Sequence, residues 1–524
     1  MKYQIFSENC WTYPDTELTN PGNKAELFAA RGSDVCFQVL TDKNLNGGEA
    51  FDIAVSDLEC EPVSYQLMPA YVPENSDAKI FTTLDWESVK HFATRPAPFE
   101  VYDVTRPLDS KKLEKGRAAF YIRLNVAMDA TPGVYDGKVT LSVDGEALEL
   151  PVSLKVYKVQ VPALENSVFH MANWLYYDRL AEQHNMEAYS DEYREMLSKY
   201  IVMQMDMRND MLMIPAGTPI RDENGKVIDF DFTKAEYVGN LALKLGFKYI
   251  MGGFVARFEQ WDEPEQRLLW DRDVFTSELE GYRQLKIYFT RAWECVTRNN
   301  WQKQYMQCLV DEPQIPNSFS YRALSCICRQ NMPGVKINDP VETPDIAGAC
   351  DIYVVKQAVY EKYIEKFRAL QATGETVMIY TCGFPGGATM NRAMDLPLTV
   401  SRLPMWMCYL YDAPGFLHWG FHYYNREHNG LVDGCIIASG TTDKFYTPGN
   451  SHVAYNMEKG VWYGIRAHQQ RLGAYDYELF HQLGLRDKDK AKELIKKCCR
   501  TFDDYDASFE LFDNVRHELL EELG

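Results

Sequence analysis

The chain has 524 residues, more than one ordinary domain holds, so two or three domains are expected. Hydrophobic residues make up 46% and charged residues 25%, ordinary globular usage that argues against long disordered stretches. Lys and Arg total 55 against 75 Asp and Glu; the formal charge of −20 repels phosphate backbones and anionic lipid, so nucleic acid and membrane surfaces are poor partners.

No run approaches the roughly 20 apolar residues that span a bilayer. The stretch from Met1 to Cys10 has no apolar core of a secretory signal. The 13 cysteines are scattered, many of them in apolar strand-like runs such as 306–310, which reads as reduced thiols in a cytoplasmic protein. Cys326, Cys328 and the pair Cys498-Cys499 lack a second pair at zinc-ribbon spacing, so neither a metal nor a cofactor is expected. Tyr, Phe and Trp reach 13%, a surplus that suits sugar-stacking surfaces, although large aromatic cores explain composition equally simply.

Residues 1–162 read as an all-β domain. Alternating stretches recur at 35–40, 119–124, 138–143 and 150–156, and Asp144-Gly145 between the last two is a hairpin signal. This is the pattern of a β-sandwich. After Val161-Pro162-Ala163 the rhythm changes. Strand candidates at 168–172, 210–214, 249–253, 305–310, 335–338, 352–355, 377–381 and 416–421 alternate with helical patterns. One helix starts at the cap Ser190; others span 233–244, 278–299, 319–330 and 360–371. Eight such units over residues 163–430 predict a (β/α)8 barrel; an open doubly wound sheet would want a Gly-rich phosphate turn after its first strand, and none is present. Residues 431–524 are expected to form a mainly helical extension on the barrel, with helices over 458–483, 487–502 and 509–523.

In a barrel, reactive groups gather where strands end at the C-terminal face. The dipeptide Asp-Glu occurs four times, at 191, 222, 262 and 311. The first opens a helix, the second is a turn, and the third lies in a charged run. Only Asp311-Glu312 follows an apolar strand and stops at a proline. Adjacent carboxyls cannot easily both ionise, so one tends to keep a proton and can act as an acid, which glycosidic cleavage needs. The other strand ends offer Trp174 after the first and Arg257 after the third. Asn338 and Asp339 follow the fifth, Lys356 the sixth and Tyr380 the seventh, with His418 and Trp419 at the eighth. Converging, they would bind a sugar. No nucleophile elbow, zinc-protease motif or Walker loop is present.

The Asp311-Glu312-Pro313 strand end, the N-terminal sandwich and the stretch Gly415-Phe416-Leu417-His418-Trp419-Gly420 resemble glycoside hydrolase family 123. The segment Tyr446-Thr447-Pro448-Gly449, followed by Arg466-x4-Arg471-x-Gly473-x-x-Asp476-Tyr477-Glu478, is similar to the domain of unassigned function associated with that family. The resemblance implies a retaining, exo-acting β-N-acetylgalactosaminidase or hexosaminidase assisted by its substrate's 2-acetamido group, acting on an oligosaccharide or glycoconjugate. It implies that Asp311 orients the acetamido group, that Glu312 is the general acid and base, and that Tyr380 polarises the acetamido carbonyl. Two departures bear on the sugar: His418 stands where a basic residue such as Arg is expected, and the loop from Ser439 to Asp443 is altered. Two alternatives stay open. One is a glycosidase for sugars without the acetamido group, with Asp339 or Glu259 as base; the other is a non-catalytic carbohydrate-binding protein. A homo-oligomer is allowed by the sequence.

Overall fold

The computed structural model describes residues 1–424, 434–438, 441–457 and 460–524. The expected boundary at 430, the Ser439-Gly440 part of the altered loop and the expected helix start at Glu458 lie outside the described residues. The chain divides into two compact units. One comprises Met1–Phe169, Gly383–Tyr411 and Gly420–Gly524; the other comprises His170–Cys382 and Asp412–Trp419.

The first unit is built on two sheets. A seven-stranded sheet runs in the order Tyr3–Ser7, Asp34–Leu45, Gly116–Asn125, Glu61–Val72, Phe99–Pro107, Gly460–Gly464, Ala454–Met457. A four-stranded sheet runs Ala25–Arg31, Glu146–Gln160, Gly133–Val143, Phe51–Ser56. Alternation along these strands sends one set of side chains into a shared core that includes Val39, Phe120, Ile122, Leu141 and Leu154. The hairpin at Asp144-Gly145 pairs Val143 with Glu146. Both turn residues have positive φ, 54° and 81°, the geometry whose twist suits a two-residue hairpin.

The last segment departs from expectation. Gly460–Gly464, within a stretch expected to be helical, is a strand of the larger sheet that pairs Tyr463 with Thr105 on one side and with Ala454 on the other. Thr105 lies far away in sequence, and local periodicity carries no trace of such pairing. The helix that follows, Ile465–Gly484, groups with the sandwich strands, not with the barrel. It is buried on nearly every side. A Cβ at Gly473 would stand 3.1 Å from the Arg402 carbonyl oxygen, so glycine here lets this helix approach Leu403–Leu410 closely. The motif's charged residues are paired within this unit. Arg466 meets Asp103 at 2.8 Å, and Arg402 and Arg516 meet Asp476 at 2.6 and 3.1 Å. Arg471 pairs with Asp34, and Glu478 accepts bonds from the Val168 and Phe169 amides at 2.9 and 3.0 Å.

The second unit is a nearly closed barrel of eight parallel strands with surrounding helices. In chain order the strands are His170–Asn173, Met211–Met213, Tyr249–Gly252, Tyr305–Gln307, Lys336–Val341, Ile352–Lys356, Thr376–Thr381 and Gly415–His418. They neighbour one another in the order one, eight, seven, six, five, four, three, two. Among the described residues no ladder joins the first strand to the second. Asp210 bridges that seam: its amide donates to the Met171 carbonyl at 3.1 Å, and its buried carboxylate accepts from the Met171 amide at 3.1 Å. The lumen is filled by Met211, Met251, Met306, Ile352, Val354 and Met378, among others.

Helices expected from the sequence stand at Asp191–Asp206, Thr233–Leu245, Leu279–Arg298 and Ser318–Asn331, and the Ser190 hydroxyl caps the first by accepting from the Tyr193 amide at 3.2 Å. The stretch 360–371 is instead two helices, Gln357–Lys362 and Ile364–Ala372, separated at Tyr363. A hairpin at 218–231 and a three-stranded sheet at 256–275 extend the loops after the second and third strands. No helix among the described residues is long and apolar enough to cross a membrane.

Candidate active site

The fourth strand ends at Gln307, and the chain continues through Cys308-Leu309-Val310 to Asp311-Glu312-Pro313. Residues of the fifth strand and its end lace this segment in place. The Glu312 amide donates to the Pro340 carbonyl at 3.1 Å, and the Glu342 amide donates back to the Pro313 carbonyl at 3.1 Å. Below them, the Asp339 carboxylate accepts from the Leu309 amide at 2.8 Å. From the other side, the Val255 and Ala256 amides both donate to the Leu309 carbonyl at 3.0 Å. These bonds hold Glu312 at φ 53°, a left-handed conformation that an ordinary side chain avoids and that surrounding structure must enforce.

The ends of strands five to seven are in register. Val341 pairs with Val355, and Lys356 with Tyr380. That alignment brings Glu342, Lys356 and Tyr380 to Glu312. The Tyr380 hydroxyl donates to Glu312 Oε1, and Lys356 Nζ lies 3.2 Å from the same oxygen. Lys356 Nζ also pairs with Glu342 Oε1, while Gln314 Nε2 donates to Glu342 Oε2 at 2.9 Å. Lys356 is only 5% exposed, so its ammonium exchanges water for carboxylates.

Desolvation, and then the negative charge of Glu312, push the Asp311 carboxyl well above the usual carboxylate range, with Lys356 opposing. Asp311 keeps part of its surface exposed, and the neighbouring negative charge acts in the same direction as its desolvation. Burial, then Glu312's charge, raises the Tyr380 hydroxyl well above its ordinary value, so it stays a donor.

The other residues expected at the site fall into distinct places. Asn338 is buried and directs its amide nitrogen at the sulfur of Met306, a lumen residue, at 3.6 Å. Asp339, one position on, contacts the surrounding helix, accepting from the Tyr321 hydroxyl at 2.7 Å. It is completely buried and anchors the segment that leads to Asp311-Glu312 from outside the barrel wall, so the sugar-contacting place expected for it is corrected. Arg257 lies in the three-stranded insertion, its Nε 3.4 Å from Glu259. Trp174 packs edge-on against Phe254 at 5.6 Å, and its buried indole nitrogen has no acceptor among the described residues. His418 is buried at the end of the eighth strand, and Trp419 beside it is half-exposed.

The other Asp-Glu pairs are engaged elsewhere: Glu263 pairs with Arg267 at 2.7 Å, Asp222 accepts from the Asn224 and Lys226 amides at 2.9 Å each, and Asp191 opens a helix. Two residues went unnoticed in the sequence. Glu342 lies one position past the fifth strand, and the rule that strand ends carry function would have found it had that strand been drawn to Val341. Gln357 follows Lys356; both polar atoms of its buried amide lack partners among the described residues.

A parallel barrel whose strand ends converge on coupled carboxyls is the frame of an acid-base hydrolase. A sequence model of the glycoside hydrolase 123 catalytic domain matches residues 174–483, more than half the chain. The chain therefore belongs to glycoside hydrolase family 123, and it is a glycosidase acting on a carbohydrate substrate. Its fold is similar to that of a family 123 glycoside hydrolase from Clostridium perfringens, solved for the details of glycolipid glycan hydrolysis, with a TM-score of 0.73 and 13% identity over 99% of this chain and 96% of the other. An endo-β-1,4-mannanase from Thermotoga petrophila matches with a TM-score of 0.38 and 11% identity, over 60% of this chain and 78% of the other. A family 5 mannosidase from Rhizomucor miehei gives 0.32 and 10%, over 63% and 94%. Scores this low carry no argument. No curated protein sequence matches the chain.

Proposed function

We propose that the protein is a retaining, exo-acting β-N-acetylgalactosaminidase assisted by the 2-acetamido group of its substrate. The observation that carries this reading is the unlike surroundings of two adjacent carboxyls. Glu312 is held by a hydroxyl and an ammonium, whereas Asp311 is desolvated and favours its neutral form in the free protein. Two carboxylates working on opposite faces of one glycosidic bond must stand about 5 Å or more apart. Neighbouring residues suit neighbouring groups on one sugar better. In the first step the acetamido oxygen attacks the anomeric carbon as the glycosidic bond breaks, and Glu312 gives its proton to the leaving oxygen. Asp311 releases its proton to solvent as the substrate binds, and its carboxylate then accepts the acetamido N–H and steadies the oxazolinium charge that forms. Water then attacks the anomeric carbon, Glu312 takes its proton, and the acetamido group is restored with retention.

A glycosidase for sugars lacking the acetamido group would need a separate base. Of the two residues considered for that role, Asp339 already accepts from a buried backbone amide and a tyrosine. Aryl β-glycosides of N-acetylgalactosamine, N-acetylglucosamine, galactose and glucose decide between the readings. Turnover of the acetamido sugars alone, lost in Asp311→Asn and Glu312→Gln, is expected. Hydrolysis of the galactoside in preference to both acetamido sugars would overturn substrate assistance.

A further inference from the structure

A general acid must hold a proton until the leaving oxygen takes it, yet Lys356 places a cation 3.2 Å from Glu312, which favours the ionised form. Glu342 resolves the conflict. We infer that Glu342 is a positioning residue for hydrolysis, acting through Lys356 to let Glu312 hold the proton that the leaving oxygen needs. The inference rests on the proposed role of Glu312 as acid.

When Glu312 is protonated, Lys356 and Glu342 form a neutral pair. When Glu312 has given up its proton, the same ammonium is shared between two carboxylates and steadies the anion until water is activated. Lys356 thus serves both halves of the cycle, and Glu342 keeps it from committing to one. The placement is built rather than incidental. Glu342 is tied to the catalytic segment by its amide bond to Pro313 at 3.1 Å and by Gln314 at 2.9 Å on the oxygen that Lys356 leaves. The groups facing Glu312 are Asp311 from its own segment, Glu342 from the fifth strand end, Lys356 from the sixth and Tyr380 from the seventh, with Cys382 next to Tyr380. Removing Glu342 leaves an unbalanced cation beside Glu312; removing Lys356 leaves an unbalanced anion. The two substitutions must therefore act in opposite directions, which a purely structural role does not demand.

The test measures kcat/KM against pH for the full-length wild type, Glu342→Gln and Lys356→Met. It uses phenyl and 2,4-dinitrophenyl glycosides of the sugar that the wild type hydrolyses. In Glu342→Gln the alkaline limb with the phenyl glycoside should move down by about one pH unit, a roughly tenfold loss above it. The dinitrophenyl glycoside, whose leaving group needs no acid, should be slowed less than about twofold. In Lys356→Met the alkaline limb should move up. Limbs that coincide with wild type, or that move in the same direction in both variants, overturn the inference. Carbon-13 titration of the Glu312 carboxyl, assigned by its loss in Glu312→Gln, needs no substrate. Its midpoint should fall in Glu342→Gln and rise in Lys356→Met, and no movement also overturns the inference. Undiminished phenyl-glycoside turnover by Glu312→Gln would remove the acid role itself, while the titration still judges the charge balance separately.

Discussion

Two clusters of buried charge, one in each unit, differ in their accounts. Along the Ile465–Gly484 helix, arginines and carboxylates are matched: Arg466 with Asp103, Arg471 with Asp34, and Arg402 and Arg516 with Asp476 and Glu8. Arg402 draws the Asp476 carboxyl below its ordinary value against the desolvation that would raise it. At the barrel mouth, Asp311, Glu312 and Glu342 crowd one ammonium, and Asp311 is pushed the other way. Matched buried charge specifies an arrangement and resists change; crowded buried charge leaves a proton in play. The contrast separates the motif that holds the fold from the motif proposed to do the chemistry.

The largest way to break the comparison is Asp476→Asn. Removing one partner of the matched cluster strands buried arginines, and a loss of about 3–5 kcal/mol in unfolding free energy is expected in denaturant titration. The kcat of the molecules that remain folded should be unchanged. Glu312→Gln should do the reverse. Activity on a phenyl glycoside should fall about a thousandfold in steady-state assays while the melting temperature stays within a degree or two of wild type.

Asp513 sharpens the boundary between the two kinds of cluster. It accepts from Asn9 at 2.6 Å and Ser7 at 3.1 Å, and burial followed by Glu8's charge lifts it from 3.8 to about 6. Because the folded value is raised, its stabilisation is fully present below 3.8 and is lost as pH rises through about 6. Asp513→Asn should therefore flatten the pH dependence of stability over that window and gain up to about 2 kcal/mol at pH 7, checked by melts across pH. The smallest effect is reserved for Tyr380→Phe, which deletes a bond to Glu312 without changing charge. We expect about a tenfold fall in kcat and a stable fold.

Much of the molecule was legible in the sequence because its signals are local. Period-two alternation and Asp144-Gly145 announced the sandwich, and eight apolar runs between helical patterns announced the barrel. Asp311-Glu312 stood out because it alone followed an apolar strand. What escaped was set by distant partners. The Gly460–Gly464 strand exists because Phe99–Pro107 offers it an edge. The alternate face on which Asp339 falls is decided by strand register, and a one-residue difference turns a lumen-facing side chain into a backbone anchor. Glu342 is hidden in a similar way: the local pattern ends the fifth strand at Asn338, whereas pairing with its neighbours extends it to Val341. The helical motif around Asp476 pointed to the family, but only its partners Arg402, Glu8 and Arg516 reveal that it is structural.

The Asp210 seam gives the barrel the character of a split ring. Seven neighbouring strand pairs share backbone ladders, whereas among the described residues the first and second strands are joined by the Asp210 backbone and carboxylate and by the bond from the Asn173 side-chain amide nitrogen to Asn209 Oδ1 at 2.9 Å. Strands four to seven, whose ends hold Glu312, Glu342, Lys356 and Tyr380, lie around the far side of the circle. Among the described residues the ladder runs unbroken through the arc that holds Glu312 and opens on the opposite side.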